Sequence, residues 1–174
     1  MLLTEAQTTP IVIDTREQKP YGFDPAHVTV TRRALPAGDY SLAGQEESVA
    51  VERKSLPDFV SSIIQNRDRF ERELERLSSY DAACVLVEAD LRDVAEGRYR
   101  SHAHPNAVLG SVIGLFVRYG VPILFCSTRE IAARFTAGYL RRFHVRTTVA
   151  WVEDDEGRGP SWPTKKTSED STDC

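Results

Sequence analysis

The order of the hydrophobic runs constrains the fold of this 174-residue chain more than any other feature. Short apolar runs separated by Gly-rich or polar breaks come first, which is the pattern of β-strands joined by turns. We predict these four strands at residues 11–15, 28–33, 41–44 and 49–53. From residue 55 onward, stretches with apolar residues at helical spacing alternate with apolar runs of strand length. The sequence therefore predicts an α/β fold, with a mixed central β-sheet flanked by helices.

The second half of the chain carries clear signals for where its helices begin and end. A helical stretch opens at Ser55, with a proline at an early helical position, and its apolar phase slips near Asn66, which predicts two helices. Pro105 and Gly120 are placed to begin and to end a further helix. The remaining predictions are strands at 83–89 and 121–127, a short helix at 91–97, a loop at 100–105 and an amphipathic helix at 128–143.

Glu52 and Lys54 are separated by one residue in a predicted strand. Since side chains alternate across a strand, Glu52 and Lys54 project from the same face and Arg53 from the other. Asp14 ends the first strand and Asp39 opens a hairpin, so the acidic side chains converge if the strands pair. An ordinary solvated ion pair on an edge strand remains the alternative interpretation of Glu52 and Lys54.

Carboxylates in this arrangement suit a hard divalent cation. Magnesium prefers oxygen ligands and keeps several waters, so Asp39 and Glu52 supply a minimal ligand set that also accepts manganese as a substitute. A metal at this position activates water and relieves phosphate charge in phosphodiester hydrolysis. Lys54 then either orients the attacking water or stabilises the developing charge, and the sequence does not decide between these roles.

Three segments occur in a fixed order at short separations: IDTREQ, LPAGDYSL and VAVERKSLPDF. Together they resemble the XPF-type nuclease domain, a branch of the PD-(D/E)XK nuclease superfamily, with its D-x-R-E-like strand, GDY turn and ERK-x-x-x-D segment. The similarity continues from about Ile11 to Phe143. It implies a restriction-endonuclease-like nuclease core at residues 11–152, preceded by an N-terminal extension at 1–10.

The resemblance also implies roles for individual residues. By it, the metal ligands are Asp14, Asp39 and Glu52, and the catalytic lysine is Lys54. The supporting active-site residues are Arg16, Glu17, Arg53 and Asp58. For two of these we predict a direct contact, in which Asp58 holds the Arg53 guanidinium; a simple helix cap by Asp58 is the alternative.

The activity implied by the resemblance is that of a Mg²⁺-dependent DNA endonuclease acting on branched or distorted DNA in repair or recombination. A non-catalytic DNA-binding or dimerisation subunit and a restriction-like or mobile-element nuclease remain alternatives. Members of this family commonly carry helix-hairpin-helix repeats, which this sequence lacks, so we expect a partner or the core's own arginines to grip DNA. Our candidates for phosphate contacts are Arg16, Arg67 and Arg69. The same helical stretch offers Arg72 and Arg76 as further candidates, and for these a salt-bridged solvent face is the alternative, because glutamates interleave with them.

Family membership further implies a homodimer or heterodimer through the nuclease domain. We expect an exposed apolar patch on the last helices, formed by Phe135, Tyr139 and Phe143. The three cysteines are far apart and predict no disulfide framework, which favours a reduced cytoplasmic location, nucleoid-associated in a bacterium or nuclear in a eukaryote. The net charge of −4 is carried by residues 153–174, predicted to be a flexible polar tail, and a neutral body is compatible with nucleic acid.

Overall fold

A computed structural model of the chain describes residues 8–149 and has a six-stranded sheet at its centre. The strands are Thr9–Asp14 (β1), Val28–Arg33 (β2), Tyr40–Leu42 (β3), Val49–Ser55 (β4), Ala82–Glu88 (β5) and Ile123–Phe125 (β6). Their order across the sheet is β2-β1-β3-β4-β5-β6. β3 is antiparallel to both β1 and β4, whereas the pairs β1–β2, β4–β5 and β5–β6 are parallel. The predicted mixed sheet is therefore confirmed.

Five helices complete the fold of the described residues. They are Leu56–Ile64 (α1), Arg67–Ser78 (α2), Leu91–Ala95 (α3), Pro105–Tyr119 (α4) and Arg129–Val149 (α5). The predicted break lies at Asn66, between α1 and α2, and Gly120 ends α4 in the left-handed conformation with a φ of 65°. α5 continues six residues beyond the predicted end at Phe143, because residues 144–149 include no glycine or proline that would stop it.

The sheet separates two hydrophobic cores. One core joins α1, α2 and α4 to one face of the sheet, and the other joins α5 to the opposite face. The alternation along β4 illustrates this division, since Ala50 belongs to the first core and Val49 and Val51 belong to the second. β4 is thus fixed on both faces, which makes it a rigid support for the residues that follow Val51.

Phe143 belongs to the second core, which corrects one sequence prediction. Its exposed fraction is only 5%, so it is not part of an exposed apolar patch. The helical period aligns Phe143 with Leu140 and Ala132, and these residues face the sheet. Of the three predicted residues, only Phe135 is exposed. Tyr139 is half-buried against the second core, and its ring stacks on that of Phe135 with centroids 6.1 Å apart.

Several predictions concern segments at the two ends of the chain. β1 begins at Thr9, so the last two residues of the predicted N-terminal extension lie in the sheet. The polar tail at 153–174 and the predicted domain end at residue 152 lie outside the described residues. Among the helices of residues 8–149, none is long and apolar enough to cross a membrane.

Candidate active site

Asp39 lies between the ends of β1 and β4 because of a tight turn at Gly38. The Asp39 amide donates a hydrogen bond to the Val51 carbonyl (2.9 Å), and its carbonyl accepts one from the Asp14 amide (2.8 Å). Gly38 has a φ of +75°, and a Cβ there would lie 3.1 Å from the Ala50 Cβ. Glycine is therefore required for this close approach of the turn to β4.

Glu52 and Lys54 project from β4 into a cavity of about 400 Å³, and the predicted shared face is confirmed. The Lys54 ammonium donates a hydrogen bond to Glu52 Oε1 (2.7 Å). The pair is almost fully buried, which excludes the alternative of a solvated surface pair. The predicted site residues that line this cavity are Asp14, Arg16, Asp39, Glu52, Lys54, Asp58 and Arg69.

Asp39 and Glu52 form a pair of carboxylates in which each disfavours the charge of the other. Burial raises the pKa of Asp39, as do the charges of Glu17 and Glu73, although the hydrogen bond from the Arg53 amide and the charge of Lys54 oppose this rise. Burial followed by the charge of Asp39 raises the pKa of Glu52 well above its usual range, against the opposing effect of Lys54. Burial and neighbouring acidic charges thus disfavour the ionised form of both carboxylates.

Lys54 is held as a cation. Burial alone lowers the pKa of its ammonium, but the charges of Glu52 and Glu73 outweigh burial and raise it. Glu73 Oε2 lies 3.8 Å from the Lys54 nitrogen, and the Phe70 ring lies 5.0 Å from it. Because a protonated amine has no lone pair, Lys54 in this state donates hydrogen bonds and positive charge rather than accepting a proton.

The Asp14 carboxylate lies at the cavity wall but is bound to other groups. Its oxygens accept hydrogen bonds from the Arg16 amide and guanidinium and from the Leu35 amide, at 2.6 to 3.0 Å. Burial acts to raise the pKa of Asp14, but these hydrogen bonds outweigh burial and hold it below its usual value. Among residues 8–149, no three histidine, cysteine or acidic side chains are grouped closely enough to hold a metal ion.

The donor chemistry of Asp39 and Glu52 nevertheless fits a divalent cation. Both are hard oxygen donors, both line the same cavity, and their mutual repulsion is relieved by added positive charge. Asp14 joins such a ligand set only if its carboxylate exchanges the hydrogen bonds from Arg16 for the metal. The residues present therefore fit a two-carboxylate minimum more directly than the three-carboxylate set that the family resemblance implies.

The predicted contact between Arg53 and Asp58 is wrong. Arg53 projects from the opposite face of β4, where its guanidinium donates two hydrogen bonds to the Glu88 carboxylate (2.7 and 2.9 Å). Glu17 lies 3.5 Å from the same guanidinium. Asp58 lies on the cavity side, where it accepts a hydrogen bond from the hydroxyl of Ser55, the N-cap of α1. The cap of α1 is therefore Ser55 rather than Asp58, and Asp58 takes part only as the partner of the capping residue.

The arginines predicted to contact DNA do not all lie at the cavity. Arg16 and Arg69 line it, and so does Arg76, one of the further candidates on the same helix. Arg67 instead pairs with Glu71 at 2.7 Å. Two residues along a helix correspond to a rotation of about 200°, so Arg67 and Arg69 cannot face the same way.

Glu73 is a functional candidate that the sequence reasoning missed. Its position among alternating arginines and glutamates favoured a solvated face, yet it lies four residues after Arg69 on the side of α2 that lines the cavity. Glu88 was also not predicted as a site residue, although an acidic residue that ends an otherwise apolar strand indicates a buried polar contact. Arg129, which binds Glu88 from α5, gave no local signal.

The sequence matches the family model described as the ERCC4 domain over residues 13–139. It is 34% identical over 117 residues to the 3′-flap repair endonuclease Xpf of Saccharolobus solfataricus, covering 67% of this chain and 46% of that protein. It is also 30% identical over 123 residues to a Methanocaldococcus jannaschii protein named as an ATP-dependent RNA helicase, covering 71% of this chain and 14% of the helicase. The chain therefore spans less than half the length of either relative.

Two solved structures share the fold. XPF from Aeropyrum pernix superposes with a TM-score of 0.60 at 23% identity, covering 82% of this chain and 69% of that one. The complex of XPF from Aeropyrum pernix with DNA superposes with a TM-score of 0.57 at 23% identity, covering 86% and 70%. At this level of identity, the likeness establishes the architecture of the sheet and helices.

Proposed function

Because this chain belongs to the ERCC4 domain family as an XPF-type nuclease domain, we propose that it is a metal-dependent DNA endonuclease. The observation that carries the proposal is the meeting of Asp39, Glu52 and Lys54 in one cavity. Two carboxylates of raised pKa beside a buried ammonium form an electrostatic arrangement typical of a reaction centre. If Lys54 and Glu52 formed only a structural ion pair, the second carboxylate, Asp39, would not be needed beside them.

The proposed chemistry is hydrolysis of a phosphodiester bond. Mg²⁺, with Mn²⁺ as a substitute, would be held by Asp39 and Glu52 and would supply an activated water and charge relief at the phosphate. Lys54 donates a hydrogen bond and positive charge to the phosphate oxygen on which negative charge develops. When the Lys54 ammonium turns from Glu52 to the phosphate, the Glu52 oxygen that accepted its hydrogen bond becomes free.

DNA is the proposed substrate, and the arginines at the cavity support its binding. Arg16, Arg69 and Arg76 surround the acidic centre, so phosphates on either side of the scissile bond meet guanidinium groups. Such contacts grip the backbone without reading the sequence. We extend the proposal to branched or distorted DNA because one relative is named as a 3′-flap repair endonuclease.

Cleavage assays with matched variants test this function. Labelled flap, fork, junction and linear duplex DNA are incubated with the protein in Mg²⁺, in Mn²⁺ and in chelator. We expect Glu52→Gln and Lys54→Ala to lower the cleavage rate by about 10²- to 10³-fold while the protein stays folded. Glu96→Gln changes an exposed carboxylate that directly follows α3 and is the matched control. We expect it to cleave normally.

Two results would contradict the assignment. Normal cleavage by Glu52→Gln and Lys54→Ala would show that these residues do not have the proposed roles. If the unaltered protein binds these DNAs but never cuts them with either ion, it acts as a non-catalytic DNA-binding or dimerisation subunit instead.

We also propose that the domain dimerises through α4 and α5. α4 exposes Ile113, Phe116 and Val117, and α5 exposes Ile131 and Phe135. These helices precede and follow β6, the last strand of the sheet. A set of large apolar side chains in water is the usual mark of a protein interface.

A further inference from the structure

Arg53 connects the two faces of β4 at the active site. Its amide donates a hydrogen bond to Asp39 Oδ2 (2.8 Å), on the side of the acidic centre. Its side chain leaves the opposite face, where both Glu88 oxygens accept hydrogen bonds from the guanidinium. The position of the Asp39 carboxylate therefore depends on where the Arg53 backbone is held, and the guanidinium helps to hold it.

Arg129, at the start of α5, fixes Glu88 from the other side. One guanidinium nitrogen of Arg129 donates to Glu88 Oε1 (3.1 Å). Another donates to the carbonyls of Lys19 and Pro20, in the loop that follows β1. The same guanidinium lies 4.9 Å from the centre of the Tyr21 ring. Arg129 thus joins a helix, a strand end and a loop that are distant in sequence.

The group is electrically balanced only when it is complete. Arg53 and Arg129 provide two positive charges, and Glu17 and Glu88 provide two negative charges. Arg53 and Glu88 are each almost fully buried. Removing one member of such a buried group leaves an uncompensated charge, which the surrounding backbone must move to solvate.

Resting on the function proposed above, we infer that Arg129 is a positioning residue for cleavage. It holds Glu88, Glu88 holds Arg53, and the Arg53 amide orients Asp39. Arg129 touches neither the cavity nor the acidic centre, so its effect passes through this chain of hydrogen bonds. The start of α5 is then a determinant of active-site geometry on the opposite side of the sheet.

Three variants of the full chain test the inference. Arg129→Ala removes both sets of contacts. Arg129→Lys keeps the charge but replaces the two separate guanidinium nitrogens that reach Glu88 and the carbonyls with a single nitrogen. Arg92→Ala removes an exposed arginine from α3 and is the control. The turnover number and the KM for flap DNA are measured at saturating Mg²⁺. Hydrogen exchange of the Arg53 amide is followed by NMR, with the amide of buried Leu115 in α4 as the internal reference.

We expect Arg129→Ala to lower kcat by about 10- to 100-fold with little change in KM, as for other residues that orient a reactive ligand. In Arg129→Ala, the Arg53 amide should exchange faster while that of Leu115 does not. Arg129→Lys should recover part of kcat, and Arg92→Ala should match the unaltered protein. An unchanged kcat or an unchanged Arg53 amide overturns the inference, as does an equal loss in Arg92→Ala. If the unaltered protein cuts no DNA, the proposed function has failed, and amide exchange alone decides whether Arg129 positions Asp39.

Discussion

At the scale of single residues, the two aspartates beside the cavity have opposite electrostatic roles. Hydrogen bonds from Arg16 and Leu35 lower the pKa of Asp14, whereas burial and neighbouring acids raise the pKa of Asp39. The sequence presents both as acids next to strands, with nothing to distinguish them. The difference means that Asp14 stabilises the metal-free fold when ionised and Asp39 destabilises it.

The pH dependence of stability tests this role of Asp39. A carboxyl whose pKa is raised by folding stabilises the protein fully below its unfolded value of 3.8, and this stabilisation is lost as pH rises through about 6. In chelator, the difference in free energy of unfolding between Asp39→Asn and the unaltered protein should therefore shift in favour of the variant between pH 4 and pH 7.5, by about 1–3 kcal/mol. Urea unfolding at several pH values measures it, and a difference that is constant with pH contradicts the assignment.

Asp14→Asn should have the opposite effect. Its ionised carboxylate accepts charge-assisted hydrogen bonds that an amide replaces poorly, so we expect the variant to lose about 1–3 kcal/mol of unfolding free energy at pH 7. For a carboxyl of lowered pKa, stability is present above the unfolded pKa and is lost as the pH falls through the folded pKa. The deficit of Asp14→Asn should accordingly shrink toward pH 3, and a deficit that grows on acidification would argue against these bonds.

At the scale of elements, the turn at Gly38 decides how close Asp39 comes to β4. A side chain at this φ is strained, and its Cβ would press on Ala50 and on the Val51 carbonyl. We expect Gly38→Ala to lower the free energy of unfolding by about 1–3 kcal/mol and also to reduce cleavage, because the turn moves Asp39 away from Glu52. Gly22→Ala has open space for its Cβ and serves as the control in the same unfolding and cleavage measurements. Equal stability of the two variants would show that the turn tolerates a side chain.

At the scale of the whole molecule, the proposed dimer depends on the exposed faces of α4 and α5. Val117, near the C-terminal end of α4, is 78% exposed. We expect Val117→Lys to convert a dimer into a monomer in sedimentation and light scattering, since a buried ammonium at an interface is unfavourable. Val30→Lys, at an exposed valine on the edge strand β2, is the matched control and should leave the dimer intact. A dimer that survives Val117→Lys places the interface elsewhere.

The sequence by itself determined the order of elements and the central pair of the site. Strand and helix periods are local properties, so the alternation along β4 was enough to place Glu52 and Lys54 on one face and Arg53 on the other. The break at Asn66 and the end of α4 at Gly120 were likewise readable, because capping depends on residues within one turn.

Tertiary structure alone decided which side chains meet across those elements. Arg53 binds Glu88, 35 residues away, rather than nearby Asp58, because the parallel pairing of β4 with β5 brings the two strand ends together. Glu73 lines the cavity and Phe143 is buried for a similar reason. The environment of each depends on which face its helix turns toward the sheet. Periodicity fixes which residues share a face, but only the packing of distant elements fixes what that face contacts.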